Sequence, residues 1–319
     1  MSRTVPADGE AVVLARIETS PDVVVLELGG VDGAPLPSWE PGAHIDALLP
    51  SGLVRQYSLC GEPGQATWRI AVLREPAGRG GSLWLSDRLN VGQRLRFAGP
   101  RNHFRFHGDA TGPVLLVAGG IGITPLVPMA ATAAGAGLDY TIHYSAPTRA
   151  ALALLAELRE RHGERLVTHV SDEGSRLDVA SLVGAADSGT VVYCCGPAGL
   201  LDEVESACHT AGLVLHEERF VASGLTAPVW TEPFEVELAA SGYSVTVPPD
   251  RSVLDVVESS GALVLSSCHE GTCGTCETVV LQGEIDHRDS ILTPSERARG
   301  DVMYVCVSRA AGPRIVLDL

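Results

Sequence analysis

The sequence predicts a multidomain protein of α/β and β architecture, built from three successive segments. Strand-like runs separated by Gly, Pro and Asp turns extend from Gly9 to about Gly108, and strand and helix patterns alternate from Gly112 to about Val221. A hairpin pattern and a group of cysteines follow. With 319 residues, of which 45% are hydrophobic, the chain is long enough for two or three separate cores.

The first segment, residues 1–108, is expected to form an antiparallel barrel or sandwich. Its strand-like runs are AVVLARIE, DVVVLELGG, HIDALL, TWRIAVLR and RLRFAG. The second segment, residues 109–222, alternates runs such as PVLLVA and TVVYCC with helix-like runs such as TRAALALLAELRERHG and AGLLDEVESACHTAG. Such alternation predicts a parallel sheet with right-handed crossovers. The third segment, residues 223–319, starts in an uncharged linker, ASGLTAPVW, and continues with the hairpin pattern FEVELAASGYSVTV.

Composition excludes some classes of partner. The net charge is −16, from 23 basic and 39 acidic residues, and this opposes nucleic-acid binding, which needs a basic surface. The N-terminal residues lack a basic stretch followed by an apolar one, and no apolar run is long enough to cross a bilayer. We therefore expect a cytoplasmic protein that contacts no membrane.

Four of the eight cysteines have the spacing of iron–sulfur ligands. Four residues separate Cys268 from Cys273, two separate Cys273 from Cys276, and Cys306 lies far downstream, as in plant-type ferredoxins. The alternative is a structural zinc site, which usually shows two close pairs of ligands. Of the remaining cysteines, Cys60, Cys194 and Cys208 are expected to be ordinary buried thiols.

Residues 233–319 resemble a plant-type ferredoxin domain, which has a β-grasp fold. The hairpin, the helix-like run RSVLDVVESSG and the final run RIVLDL agree with that resemblance. It implies a 2Fe-2S cluster held by the metal ligands Cys268, Cys273, Cys276 and Cys306.

Two glycine turns in the second segment suit a dinucleotide. The turn GGIGITP (residues 119–125) follows a strand-like run and opens a helix, where free N–H groups can hold a pyrophosphate. The turn CGP (residues 195–197) has the same context at the last strand. The first turn alone is a weak signal, because Pro125 stands where the usual third glycine would be.

Together the two turns resemble the pyridine-nucleotide domain of the ferredoxin–NADP reductase superfamily. The resemblance implies that the first turn lies under the pyrophosphate and the second near the nicotinamide, with the contact residues Gly120, Ile121, Gly122, Thr124, Pro125, Cys195, Gly196 and Pro197. Cys195 as a nucleophile is the weaker interpretation, since no base stands at a recognisable spacing.

The choice between NADH and NADPH is made at the adenosine ribose, where a cation favours the 2′-phosphate and an acid opposes it. HYSAPTR offers Ser145 and Arg149, and VSDEG offers Asp172 and Glu173, so the residues point in both directions. The resemblance favours NADH, with Ser145 and Asp172 at the ribose. Arg149 is then a solvated helix residue.

The run RQYSL (residues 55–59) matches the RxYS motif of the same superfamily's flavin domain. It offers a cation, an aromatic wall and a hydroxyl, which is what a flavin requires. The resemblance implies flavin contacts by Arg55, Tyr57, Ser58 and Val72, and by Phe220 over the flavin face. For Phe220, packing in the linker is the alternative.

The turn GRGGS, residues 78–82, leads into the helix-like run LWLSDRL and can cradle an anion. In three-domain relatives the equivalent loop holds the FMN phosphate, which favours FMN over FAD and assigns Arg79, Gly80, Gly81 and Ser82 to it. The alternative is a plain turn with Ser82 as an N-cap.

Over nearly its whole length the chain resembles the phthalate dioxygenase reductase and vanillate O-demethylase reductase family. The resemblance implies an enzyme that passes electrons from NADH to FMN, to the 2Fe-2S cluster and on to a partner oxygenase, with no catalytic acid or base. The partner is expected to carry the Rieske centre of an aromatic hydroxylase or O-demethylase.

A haem-thiolate monooxygenase is the second candidate for the partner. A redox sensor that does not turn over, and a free flavin reductase, are rivals from other classes. From Trp230 onward the chain carries 14 acidic and 6 basic residues, which either attract a basic patch on the partner or serve solubility.

Overall fold

The structure is a computed structural model that describes residues 7–108, 112–222 and 227–319. It divides into two compact units, Ala7–Glu218 and Arg219–Leu319. Residues 109 and 223, where the second and third predicted segments begin, lie outside the described ranges, as does the 223–226 part of the predicted linker. The division into three domains therefore stays a prediction, and each unit is described by itself.

The larger unit begins with a six-stranded antiparallel sheet that closes into a barrel. The strand order is β4-β3-β6-β1-β2-β5, and a bridge between Leu59 and Ile70 joins the two edges. The antiparallel barrel predicted from the sequence is confirmed. Its elements are β1 Gly9–Ser20, β2 Val23–Gly30, β3 His44–Leu48, β4 Val54–Ser58, β5 Trp68–Leu73, helix α1 Gly81–Asp87 and β6 Arg94–Arg101.

A five-stranded parallel sheet completes the larger unit, in the order β11-β10-β7-β8-β9. The order reverses between β7 and β10, and such a switch point opens a crevice at the carboxyl ends of the strands. The elements are β7 Val114–Gly119, α2 Ile123–Gly135, β8 Tyr140–Ala146, α3 Leu155–His162, β9 Leu166–Val170, α4 Val179–Gly184, β10 Val191–Cys195, α5 Ala198–Ala211 and β11 Val214–Glu218.

The helix expected over TRAALALLAELRERHG is shorter in the structure. A 3-10 turn covers Arg149–Ala151, and α3 begins only at Leu155. Between them the chain turns so that Leu152 and Leu154 point into the core, where both side chains are buried. Leu154 takes a positive φ of 58°, which a continuous helix does not allow. Burial of these leucines therefore overrides the local helix pattern.

The smaller unit holds a five-stranded mixed sheet in the order β13-β12-β18-β14-β16 and a two-stranded sheet of β15 and β17. The terminal strands β12 and β18 pair in parallel at its centre. The hairpin, helix and closing strand predicted for the ferredoxin fold are confirmed. The elements are β12 Phe234–Leu238, β13 Tyr243–Val247, α6 Val253–Ser259, β14 Glu277–Gln282, β15 Ile285–Asp286, α7 Pro294–Arg297, β16 Val302–Tyr304, β17 Arg309–Ala310 and β18 Arg314–Leu317.

The described residues include no helix that is both long enough and apolar enough to cross a membrane.

Candidate functional site

The RxYS motif forms barrel strand β4, paired with β3 so that Tyr57 lies opposite Ile45 and Ser58 opposite His44. Because side chains alternate along a strand, Arg55 and Tyr57 share one face, and Ser58 points to the other. Burial raises the pKa of the Tyr57 hydroxyl, so this ring is a neutral, largely apolar surface. The strand thus presents a cation and an aromatic wall side by side.

The Gly-rich turn lies directly against this strand. Gly80 is the N-cap of α1, with a positive φ of 87°, and Gly81 is the first helical residue. A Cβ at Gly81 would lie 2.7 Å from Cγ and 2.9 Å from Nε of Arg55. Only glycine therefore lets the guanidinium come so close to the free N–H groups of the turn. A guanidinium beside such a turn is a suitable arrangement for a terminal phosphate, as FMN requires.

The structure does not bring the other residues predicted to contact the flavin into an equally clear binding arrangement. Ser82 is not the N-cap of α1, and its hydroxyl accepts a hydrogen bond of 3.1 Å from the Glu75 N–H. Arg79 is exposed. The side chain of Val72 is fully buried in the barrel core, so Val72 could contact a ligand only through its main-chain atoms. Phe220 belongs to the smaller unit and is 41% exposed.

The two glycine turns of the nucleotide domain meet at the switch point. A Cβ at Gly122 would lie 2.3 Å from the carbonyl oxygen of Cys195, and one at Gly119 would lie 2.6 Å from Cδ of Pro197. β7 and β10 are neighbours in the sheet, with Cys195 opposite Ala118. The turns thus form one continuous surface, as expected for a pyrophosphate site next to a nicotinamide site.

Hydrogen bonds fix the first turn in place. The Thr124 hydroxyl donates to the Ile121 carbonyl at 2.9 Å, and the Tyr144 hydroxyl donates to the Gly120 carbonyl at 2.9 Å. On the next strand, the Ser145 hydroxyl donates to the Ala118 carbonyl at 3.0 Å, so its proton is directed to the sheet. The turn is therefore held from both sides, a rigid base for a ligand.

A half-buried carboxyl, which the sequence patterns did not point to, completes this region. Glu218 ends β11, directly opposite Cys195 at the end of β10. Burial raises the pKa of Glu218 to about 8, and the nearby Ser58 hydroxyl lowers it in part. Burial, and then the charge of Glu218, raises the pKa of Cys195 well above its usual value. A thiol that stays protonated favours a positioning role for Cys195 over a nucleophilic one.

Ser58 and Glu218 also provide a test of whether a ligand fits. The Ser58 hydroxyl and the Glu218 carboxyl are close enough to interact, but among the residues that the structure describes neither Ser58 Oγ nor Glu218 Oε2 makes a hydrogen bond of good geometry, although both atoms are buried. Buried polar atoms without partners are rare in proteins. The ring edge of a flavin carries donors and acceptors that would satisfy them. The only sequence signal for Glu218 was its place in HEERF, at the end of a strand beside the CGP turn.

In the smaller unit the four cysteines of the ferredoxin-type spacing converge, and all four are buried. The Cys268 sulfur is within hydrogen-bond reach of the sulfurs of Cys273 and Cys306, and the Cys306 sulfur is within reach of that of Cys276. The contacts with the neighbouring thiols lower the pKa of Cys268 and raise that of Cys306. Four sulfurs grouped in this way suit a cluster that takes thiolates on two irons.

Backbone N–H groups of the loop point at these sulfurs. The Glu270 N–H donates to Cys268 Sγ at 3.3 Å, and the Thr272 N–H also bonds that sulfur. The Cys273 thiol contacts the Thr275 hydroxyl at 3.2 Å. His269 takes a positive φ of 59°, which turns the chain between ligand and donor. Such N–H bonds to sulfur stabilise the charge on a cluster.

The described residues contain no group of three or more His, Cys, Asp or Glu side chains arranged to hold a single metal ion. A 2Fe-2S centre instead divides its four thiolates between two irons. No disulfide links any of the eight cysteines. Burial of Cys60, Cys194 and Cys208 is confirmed.

Comparisons with known proteins agree with this arrangement. Residues 236–311 match the family model of the 2Fe-2S iron-sulfur cluster binding domain. The chain is 44% identical, over 98% of its length and 99% of the relative's, to a putative toluene-4-sulfonate monooxygenase system reductase subunit from Comamonas testosteroni.

Solved structures give the same result. Phthalate dioxygenase reductase is 35% identical over 97% of both chains, with a TM-score of 0.69, and it is described as transferring electrons from pyridine nucleotides to [2Fe-2S]. The full-length cytochrome P450 CYP116B46 from Tepidiphilus thermophilus is 45% identical over 98% of this chain, with a TM-score of 0.83. This chain spans only 42% of that P450.

The barrel, the parallel sheet with its paired turns and the four-cysteine unit define a pyridine-nucleotide-dependent flavin and iron–sulfur reductase. The chain belongs to the phthalate dioxygenase reductase family of oxygenase reductase components. The predicted cofactors, FMN, NADH and a 2Fe-2S cluster, are confirmed. The predicted function, transfer of electrons to an oxygenase, is confirmed as well.

Proposed function

We propose that Cys268, Cys273, Cys276 and Cys306 are the four cluster ligands of this reductase. Bound FMN accepts a hydride's two electrons and releases them singly, and a 2Fe-2S cluster accepts one at a time. The convergence of the four buried sulfurs supports the assignment. The loop N–H groups at Cys268 stabilise the charge there and set the potential.

The flavin is held on the barrel by Arg55, Tyr57, Ser58 and the turn that contains Gly81. Arg55 neutralises the terminal phosphate, while Tyr57 shields the ring from water. The nucleotide lies over the paired turns, where Gly122 leaves room for the pyrophosphate and Cys195 positions the nicotinamide. The observation that carries this assignment is the contact of Gly122 with the carbonyl of Cys195, because it joins the two predicted turns into one surface.

The electron acceptor is a separate oxygenase component with a Rieske centre. The relative at 44% identity is named a reductase subunit of a monooxygenase system, which supports an acceptor on another subunit. A haem-thiolate monooxygenase is the second candidate, favoured by the 45% identity to part of a cytochrome P450. The cytoplasm is the proposed location, since no disulfide links any of the eight cysteines, as is usual in a reducing compartment.

The test is an anaerobic titration of the purified holoprotein with NADH, followed by release and identification of the flavin. Bleaching of the flavin band together with loss of the broad cluster absorbance, and recovery of one FMN per chain, is the expected result. Reduction of the flavin while the cluster stays oxidised would contradict the proposed carrier order. The absence of cluster absorbance from fully folded protein would contradict the ligand assignment.

A further inference from the structure

We propose that Glu173 determines the preference for NADH over NADPH by holding Arg149 in an ion pair. The inference rests on the proposed nucleotide site and adds the residue that selects between the two nicotinamide cofactors there. NADPH differs from NADH only in the 2′-phosphate on the adenosine ribose. Selection therefore depends on what charge the protein presents at that ribose.

Both residues stand at the edge of the sheet where a nucleotide would bind. Strands β8 and β9 are parallel neighbours, with Ala146 opposite Val170 at their carboxyl ends. Arg149 comes three residues after β8 and Glu173 three residues after β9. The Asp172 N–H donates to the Pro147 carbonyl at 3.1 Å, which ties the two loops together.

The guanidinium of Arg149 is already occupied by a carboxylate. Its Nε donates to Glu173 Oε1 at 2.7 Å, and its Nη2 donates to Glu173 Oε2. Two parallel bonds are the geometry by which arginine recognises a carboxylate or a phosphate. Glu173 therefore fills the position that a 2′-phosphate would need.

The negative charges of Glu173 and Asp172 oppose the binding of a further anion beside Arg149. The hydrogen bond from Arg149 lowers the pKa of Glu173, and Arg159 on α3 adds to this, so Glu173 is ionised at neutral pH. Glu173, and to a lesser extent Asp172, raises the pKa of Arg149. A 2′-phosphate would have to displace the Glu173 carboxylate from Arg149, and it would still lie close to the negative charges of Glu173 and Asp172. The uncharged ribose hydroxyl of NADH meets no such repulsion and can donate to a carboxylate.

The ion pair lies at the surface, so we expect the fold to survive its removal. The side chains of Arg149 and Glu173 are 46% and 42% exposed, and pairs so open to water contribute little to stability. A change at Glu173 therefore reports on cofactor selection and leaves the fold intact.

The experiment measures direct binding of NADP⁺ and NAD⁺ to the oxidised holoprotein by calorimetry at low ionic strength. Glu173→Gln removes one negative charge and releases Arg149 while keeping the side-chain shape. We expect the affinity for NADP⁺ relative to NAD⁺ to rise about tenfold, as for one new charge-assisted contact. The gain should shrink with added salt, because the contact is exposed.

Two further variants complete the design. Glu164→Gln removes the same charge from an exposed site elsewhere in the unit and should leave the affinity ratio unchanged. In the double variant Glu173→Gln with Arg149→Ala, the gain should disappear, since the cation that binds the phosphate is gone.

An unchanged ratio in Glu173→Gln, with NAD⁺ still bound, would overturn the inference and leave the proposed nucleotide site standing. Persistence of the gain in the double variant would also overturn it, because Arg149 would then not be the phosphate ligand. Failure of NAD⁺ to bind the unmodified holoprotein would refute the nucleotide site itself and the inference with it.

Discussion

Cys195 and Glu218 lie directly opposite each other at the carboxyl ends of the parallel strands β10 and β11. The Cys195 side chain is buried, and Glu218 is half-buried with one carboxylate oxygen shut off from water. This desolvation raises the pKa of each, that of Glu218 to about 8. Around neutral pH the pair is therefore mostly protonated. An anionic pair at this position would repel the phosphates of a nucleotide, and the buried environment prevents that.

The raised pKa of Glu218 predicts a specific pH dependence of stability. The carboxyl titrates near its ordinary pKa of 4.5 when unfolded and near 8 when folded, so between these pH values the folded state binds the extra proton. Glu218 therefore costs stability as pH rises from about 4.5 to 8, by roughly 1.4 kcal/mol per pKa unit at most. Glu218→Gln should be more stable than the unmodified protein at pH 8 and similar to it below pH 4.5, measured by urea unfolding. Equal pH profiles for both proteins would show that the carboxyl is not held neutral.

From the close approach of Gly122 to the Cys195 carbonyl, we predict that a side chain at this position impairs nucleotide binding. Gly122→Ala places a Cβ 2.3 Å from the Cys195 carbonyl oxygen, which only a shift of one turn can relieve. We expect kcat/KM for NADH, with ferricyanide as acceptor, to fall at least about tenfold, since small misplacements at a site are costly. The matched control is Gly135→Ala at the end of α2, where a Cβ would meet nothing within 4 Å. Similar activity in both variants would contradict the close approach of the turns.

From the proposed role of Cys306 as a cluster ligand, we predict that its replacement separates cytochrome c reduction from ferricyanide reduction. Cys306→Ser removes the proposed distant ligand, so cluster absorbance and cytochrome c reduction should be lost, while NADH-dependent ferricyanide reduction through the flavin is retained. Cys208→Ser, at a buried thiol outside the cysteine loop, is the matched control and should keep both activities. Retention of cytochrome c reduction by Cys306→Ser would mean that electrons leave the protein without the cluster.

From the lowered pKa of His143, we predict that the folded protein loses stability in mild acid. Its Nδ1 lies 3.1 Å from Nε2 of His169, and burial, followed by the charge of His169, lowers its pKa from 6.5 to about 4. The unfolded state thus binds more protons between these values, and stability should fall as pH drops through them. The pKa of His169 is also lowered by burial and adds to the effect.

In thermal unfolding between pH 7 and 5, His143→Gln should therefore show a weaker pH dependence than the unmodified protein. The difference should be about 1 kcal/mol, because both rings are partly solvated. His209→Gln, at an exposed position on α5, serves as the control and should leave the slope unchanged. An unaltered slope in His143→Gln would show that the pair does not titrate on unfolding.

From the ion pair between Arg69 and Glu157, we predict a measurable energetic coupling between the barrel and the parallel sheet of the larger unit. Nη1 and Nη2 of Arg69 donate to Oε1 and Oε2 of Glu157 at 3.0 and 2.9 Å, and each side chain is about a quarter exposed. In a double-mutant cycle with Arg69→Ala and Glu157→Ala, we expect a coupling energy of about 1 kcal/mol in urea unfolding. Strictly additive effects would mean that the contact contributes nothing to joining the two sheets.

Features set by short spacings could be predicted from the sequence. The strand-like and helix-like runs predicted the fold class. The cysteine spacing around Cys268 and the order of the RxYS, GGIGITP and CGP motifs carried the resemblance that implied the cofactors, because each motif reflects a local requirement of backbone and ligand chemistry. The helix expected from residue 148 was only partly right. Its first residues dock into the core, and no local pattern carries that information.

The sequence by itself determined which chemical groups this protein carries: four thiols at cluster spacing, two glycine turns after strands and an arginine beside an aromatic residue. Tertiary structure alone decided which distant groups meet. It brings Glu218 next to Cys195 and Ser58, and it pairs Arg149 with Glu173 across two loops. The reason is physical: a spacing of a few residues fixes local geometry, whereas the burial and charge of a side chain depend on every strand that packs around it.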